Sequence, residues 1–130
     1  MPVKESSLPR DWFGKGKTDI KTVELLLTHG GDTEVAAMHI QQAVEKFLKG
    51  YLLFHKWKLK RTHDLVELLD YAVEHNPKLE KFRRFCEKAT AFYFESRYPF
   101  FQQEPAKKEI EYALDETREL VDIVLKEVEV

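Results

Sequence analysis

The chain of 130 residues has a single cysteine, Cys86, so no internal disulfide can form and folding does not depend on an oxidising compartment. No apolar run approaches the roughly 20 residues that span a bilayer. The opening "MPVKESSLPRDWFGKGK" lacks the apolar core of a signal peptide. A cytoplasmic location without a membrane partner is therefore expected. Glycine-rich phosphate loops are missing, since Gly30 and Gly31 have no GKS or GKT behind them. HExxH and paired CxxC motifs are missing as well, and the 5 histidines are scattered. Neither a metal nor any other cofactor is expected. Alternation at period two and internal repeats are also lacking, which removes sheet and solenoid architectures.

What is present is an ordinary globular composition, 43% hydrophobic and 34% charged, of a length that fits one domain over 1–130 with its core in about 10–128. Five segments have helical periodicity. The first, about 17–29, sets Ile20, Val23, Leu26 and Leu27 on one side, with Trp12 and Phe13 packing just before it; Gly30 and Gly31 stop it. The second starts after Asp32 or Thr33 and runs to about 56, with Ala36, Ile40, Ala43, Val44, Phe47, Leu48, Tyr51 and Leu52 forming a wide core-facing stripe. The third, about 63–75, begins after Thr62 as N-cap and buries Leu65, Leu68, Leu69 and Ala72. Pro77 suits the first turn of the fourth, about 77–95, and the last covers about 106–128. Short connections between such segments predict an all-α, up-and-down bundle of four to five helices.

The net charge of −2 hides an uneven distribution. Between Lys46 and His63 there are six cations (Lys46, Lys49, Lys56, Lys58, Lys60 and Arg61) and no acid, while the stretch from Glu104 onward is strongly acidic. The acid-free stretch reads either as an anion-binding face or as a solvated surface.

In order along the chain, "MHIQQAVEKFLKGYLL", "THDLVELL" after a basic connector, and "YFESRYP" before a final amphipathic helix resemble the HEPN domain family, the nucleotide-binding domain of higher eukaryotes and prokaryotes. The resemblance covers about residues 10–128. It implies a helical bundle that usually forms homodimers and binds nucleotides or nucleic acid. It also implies a small nucleotidyltransferase as a potential partner, the two acting as toxin and antitoxin. Some members are metal-independent ribonucleases that use an Arg followed a short distance later by a His. Here Arg97 stands at the matching place, but no histidine follows His75, and neither Gln102 nor Gln103 transfers protons at a useful pKa. An intact nuclease site is therefore not expected. The alternatives are a degenerate ribonuclease and a helical docking partner without chemistry.

Arg97, with Tyr98 beside it, is the first candidate for nucleotide or RNA binding, because its guanidinium fork suits phosphate. The competing reading pairs it with Glu109 or Glu111. Phe100 and Phe101 read as a base-stacking pair or as core plugs. Lys60, Arg61 and His63 surround the start of the third helix, where free N–H groups favour an anion. Lys46 could join His39 and Gln42 along a polar groove, or His39 could be a hydrogen-bonded core residue. Glu45 and Lys49, spaced i to i+4, predict a surface ion pair of about 0.3–0.5 kcal/mol. Cys86, in an apolar row, is expected to be inert.

Overall fold

The computed structural model describes residues 5–95 and 104–129. Helix α1 (Pro9–Thr28) and helix α2 (Thr33–Phe54) form an antiparallel hairpin. Gly30 reverses the chain between them in the left-handed region, at φ 65°, which only glycine enters without steric cost. Asp32 caps α2, accepting hydrogen bonds from the Glu34 and Val35 amides at 2.8 and 3.2 Å.

Helix α1 starts well before the expected position 17. Pro9 pre-sets the first turn, and the helix runs on through Gly14 and Gly16, the second of which has a packing role. Gly16 lies against the Phe47 ring of α2 and Gly50 of α2 against the Phe13 ring of α1, while the two rings stack with centroids 5.6 Å apart. Close helix contact outweighs the low helix propensity of glycine at these positions.

Helix α2 packs against every other α-helix: α1, α3 (Leu65–His75), α4 (Arg83–Glu95) and α5 (Lys107–Val128). Ile40, Val44, Phe47, Leu48, Tyr51 and Leu52 are fully buried along it, as the stripe predicted. It ends in a Schellman arrangement: the Trp57 amide donates to Leu52 O at 2.9 Å and the Lys56 amide to Leu53 O at 3.0 Å. Lys56 occupies the left-handed position usually taken by glycine, at φ 65°.

The connector from Lys56 then runs to Asp64, with the Trp57 ring 6.0 Å from that of Tyr71 on α3. The cap of α3 is Asp64 and not Thr62 as expected. The Thr62 hydroxyl accepts instead from the Asp64 amide, because an acceptor two residues earlier cannot reach the Val66 and Glu67 amides that Asp64 serves. Pro77 opens a 3-10 turn, Pro77–Phe82, that precedes α4 rather than belonging to it. The α-helices bury apolar stripes around α2, and no strand occurs among the described residues. The molecule is an all-α up-and-down bundle, as the periodicity predicted.

Candidate ligand-binding face

Three polar clusters sit on the central helix. In the first, Asp19 of α1 is buried, and its carboxylate accepts from Lys46 Nζ at 2.6 Å and meets His39 Nδ1 at 2.9 Å. Here His39 is the hydrogen-bonded structural residue, and one acid holds both side chains against α1.

The second cluster is centred on Glu45. Gln41 Nε2 donates to Glu45 Oε1 at 3.0 Å and to the His63 carbonyl at 3.1 Å. His63 Nδ1 lies 2.8 Å from Glu45 Oε1, and Lys49 Nζ lies 3.2 Å from Oε2. The i to i+4 pair of Glu45 and Lys49 therefore exists, but it is not on the surface: the Lys49 side chain is only 4% exposed. Its Nζ also lies 5.5 Å from the Trp12 ring centroid, a cation–π contact that covers the ammonium on the α1 side. Gln41 Oε1 is buried without a donor among the described residues. The His63 ring, half exposed, stacks on Tyr93 of α4 at 4.5 Å and 21°.

The third cluster closes the opposite end of α2. Glu127 of α5 accepts from the Tyr51 hydroxyl at 2.9 Å and from Asn76 Nδ2 at 3.2 Å, and meets His55 Nε2 at 2.7 Å. His55 stacks on His75 with ring centroids 4.0 Å apart. Partial burial alone would raise the Glu127 carboxyl, but the hydrogen bonds from Tyr51 and His55 outweigh it and hold the group below the usual carboxylate range. Burial and the neighbouring Glu127 push the Tyr51 hydroxyl in the opposite direction, well above the ordinary tyrosine value.

Outside these clusters lies the connector. Lys56, Lys58, Lys60 and Arg61 are all exposed along it. Lys60 pairs with Glu67, while Lys56, Lys58 and Arg61 have no carboxylate partner among the described residues. The amides at the start of α3 are already taken, Leu65 by Thr90 Oγ1 at 3.0 Å and Val66 and Glu67 by Asp64. An anion there would be held by side chains and not by the helix start.

The sequence model of the HEPN domain matches residues 9–128, nearly the whole of this bundle. The chain belongs to the HEPN domain family. Two solved structures share the HEPN fold of this chain. TT1696 from Thermus thermophilus is 24% identical with a TM-score of 0.79, covering 91% of this chain and 96% of its own. ST0689, an archaeal HEPN homologue, is 23% identical with a TM-score of 0.74, covering 93% of this chain and 98% of its own. At these identities the likeness is one of fold. No curated protein matches the chain.

Within the HEPN bundle the expected binding residues divide. Lys60, Arg61 and His63 share the connector between α2 and α3, whereas Lys46 is on the α1 side of α2, bonded to Asp19. Arg97 and Tyr98 lie outside the described residues, as do Phe100 and Phe101; Glu109, one of the acids considered for Arg97, pairs with Lys88 at 3.4 Å. Asp19, Gln41 and Glu127 were not singled out from sequence. Gln41 had a readable signal: it falls in the row of Ala37, Val44 and Leu48, whereas Gln42 beside it is only partly buried. Cys86 is fully buried, and burial pushes its thiol up to about 12, which fits an inert core position. Among the described residues no group of three metal-binding side chains is assembled, and no helix is long and apolar enough to cross a membrane.

Proposed function

We propose that this HEPN protein binds a nucleotide or RNA through phosphate contacts on the α2–α3 connector. One observation carries the reading: Lys56, Lys58 and Arg61 are exposed cations that lack a carboxylate partner among the described residues, set on a segment anchored by Trp57 and by His63. Phosphates offer acceptors, and lysine and arginine side chains offer donors alone, so the chemistry is complementary. Arg97, whose guanidinium fork suits phosphate, and Tyr98 beside it in the sequence are proposed as further ligand-binding residues.

Titration of a fluorescent single-stranded RNA at several salt concentrations tests this. Three or four phosphate contacts give a slope of log affinity against log salt of about −2 to −3, and Arg61→Ala reduces its magnitude by about 0.7. Binding that ignores salt would refute the reading. The family resemblance adds two further proposals: the chain forms a homodimer, and it acts as the toxin-side member of a pair with a small nucleotidyltransferase. Light scattering checks the first, where a mass that stays at 15.4 kDa across concentrations refutes it. Co-purification with such an enzyme encoded beside it checks the second.

A further inference from the structure

His63 is an acceptor placed among donors. An ionised carboxylate has only acceptor sites, so His63 Nδ1, 2.8 Å from Glu45 Oε1, must be the donor in that contact. The neutral imidazole then keeps its lone pair on Nε2. Nε2 has no partner among the described residues, and the side chain is 51% exposed. The orientation is fixed from several sides. Lys49 and Gln41 hold Glu45 in place, Gln41 also holds the His63 carbonyl, and Tyr93 stacks on the ring. The neighbouring side chains along the connector, Lys58, Lys60 and Arg61, donate only. The nearby acids are engaged, Asp64 on the Val66 and Glu67 amides and Glu67 on Lys60.

A phosphate satisfies Arg61 and its lysine neighbours but presents nothing to Nε2, since it brings acceptors alone. The ligand group that fits Nε2 must be a donor lying close to a backbone phosphate. In a nucleic acid, that group is the ribose 2′-hydroxyl, which is absent from deoxyribose. We propose that His63 Nε2 accepts a hydrogen bond from a ribose 2′-hydroxyl, which makes this face selective for ribonucleotides over deoxyribonucleotides. The inference rests on the phosphate-binding reading of the connector given above.

The experiment compares three single-stranded oligonucleotides of one thymine-free sequence, with ribose, deoxyribose and 2′-O-methyl sugars, by fluorescence anisotropy above the histidine range. The methylated sugar keeps the ribose oxygen and shape but has no hydrogen to donate. Wild type is expected to bind the ribose strand about three- to tenfold more tightly than either of the others, the scale of one net hydrogen bond. His63→Leu brings the three within about twofold while leaving their salt dependence in place. Equal binding of all three by wild type overturns the inference but leaves phosphate binding standing. So does a 2′-O-methyl strand bound as tightly as ribose, or a ribose preference retained in His63→Leu. Failure of every strand to bind overturns the phosphate-binding reading and this inference with it.

Discussion

Replacing Glu45 with methionine should be among the most damaging single changes in the protein. Glu45 accepts from Gln41, Lys49 and His63, and its loss leaves the ammonium of Lys49 inside the bundle without a carboxylate. The Lys49 side chain is 4% exposed, so water cannot take over the missing role. Breaking a buried ion pair by removing one partner costs about 3–5 kcal/mol. A domain of this size has a total stability of about 5–15 kcal/mol. Lys49→Met alone should cost less, since Glu45 retains His63 and Gln41. The decisive comparison is Lys49→Met made in the Glu45→Met background, where it removes an uncompensated charge and should restore about 1–3 kcal/mol. Urea unfolding followed by circular dichroism measures all four proteins, with constant slopes confirming comparable transitions. If Lys49→Met lowers stability by the same amount in both backgrounds, the two residues are not coupled and the reasoning fails.

The two glycines near the start of α1 should respond oppositely to alanine. At Gly14 an added Cβ meets nothing within 4 Å, so Gly14→Ala should gain about 0.5–1 kcal/mol from helix propensity. At Gly16 it would lie 2.6 Å from a Phe47 ring carbon, so Gly16→Ala should lose about 1–2 kcal/mol after that gain is counted; thermal melts of the pair check the order. The Glu127 carboxyl is held below its ordinary range in the folded state, so its stabilisation is present above about pH 5, begins to fall in the usual glutamate range and is lost as pH drops through the lowered folded-state value. Between neutral pH and about pH 4, wild type should therefore lose more stability than Glu127→Gln; equal losses would contradict the assigned hydrogen bonds. Cys86, fully buried with its thiol pushed up to about 12, should resist thiol reagents in the native protein and react only as fast as the bundle unfolds.

The bundle was legible in the sequence because α2 repeats its apolar residues at a spacing that only a helix can bury on one side, and because proline and glycine fall between segments. The start of α1 was not. No apolar spacing ties Pro9–Gly16 to the stripe of Ile20 and Val23, and the contact of Gly16 with the Phe47 ring comes from another helix. Spacing predicted the pairing of Glu45 with Lys49, but not its burial, which depends on Trp12 arriving from another helix. Asp19 reaches Lys46 across 27 positions of sequence and Glu127 reaches Tyr51 across 76, separations at which a single sequence carries no pairing signal. The basic connector was visible as a run without acids, yet composition could not say which of its cations face outward.

The three-dimensional arrangement divides that run. Lys46 and Lys49, on α2, turn toward Asp19 and Glu45 and are neutralised inside the bundle. Beyond the end of α2, Lys56, Lys58 and Arg61 have no such acid among the described residues, and the connector keeps its positive charge exposed. A sequence reading that counts six equal cations therefore overstates the charge an RNA would meet. The salt dependence of binding separates the two groups. Arg61→Ala should lower the slope by about one single-strand phosphate contact, about 0.7, because its guanidinium is free to displace a counterion. Lys46→Ala should change it less, since the Lys46 ammonium already has Asp19 at 2.6 Å and is only 25% exposed. Equal changes from the two variants would mean that the Asp19 pair opens when RNA binds, and that α1 is part of the binding face.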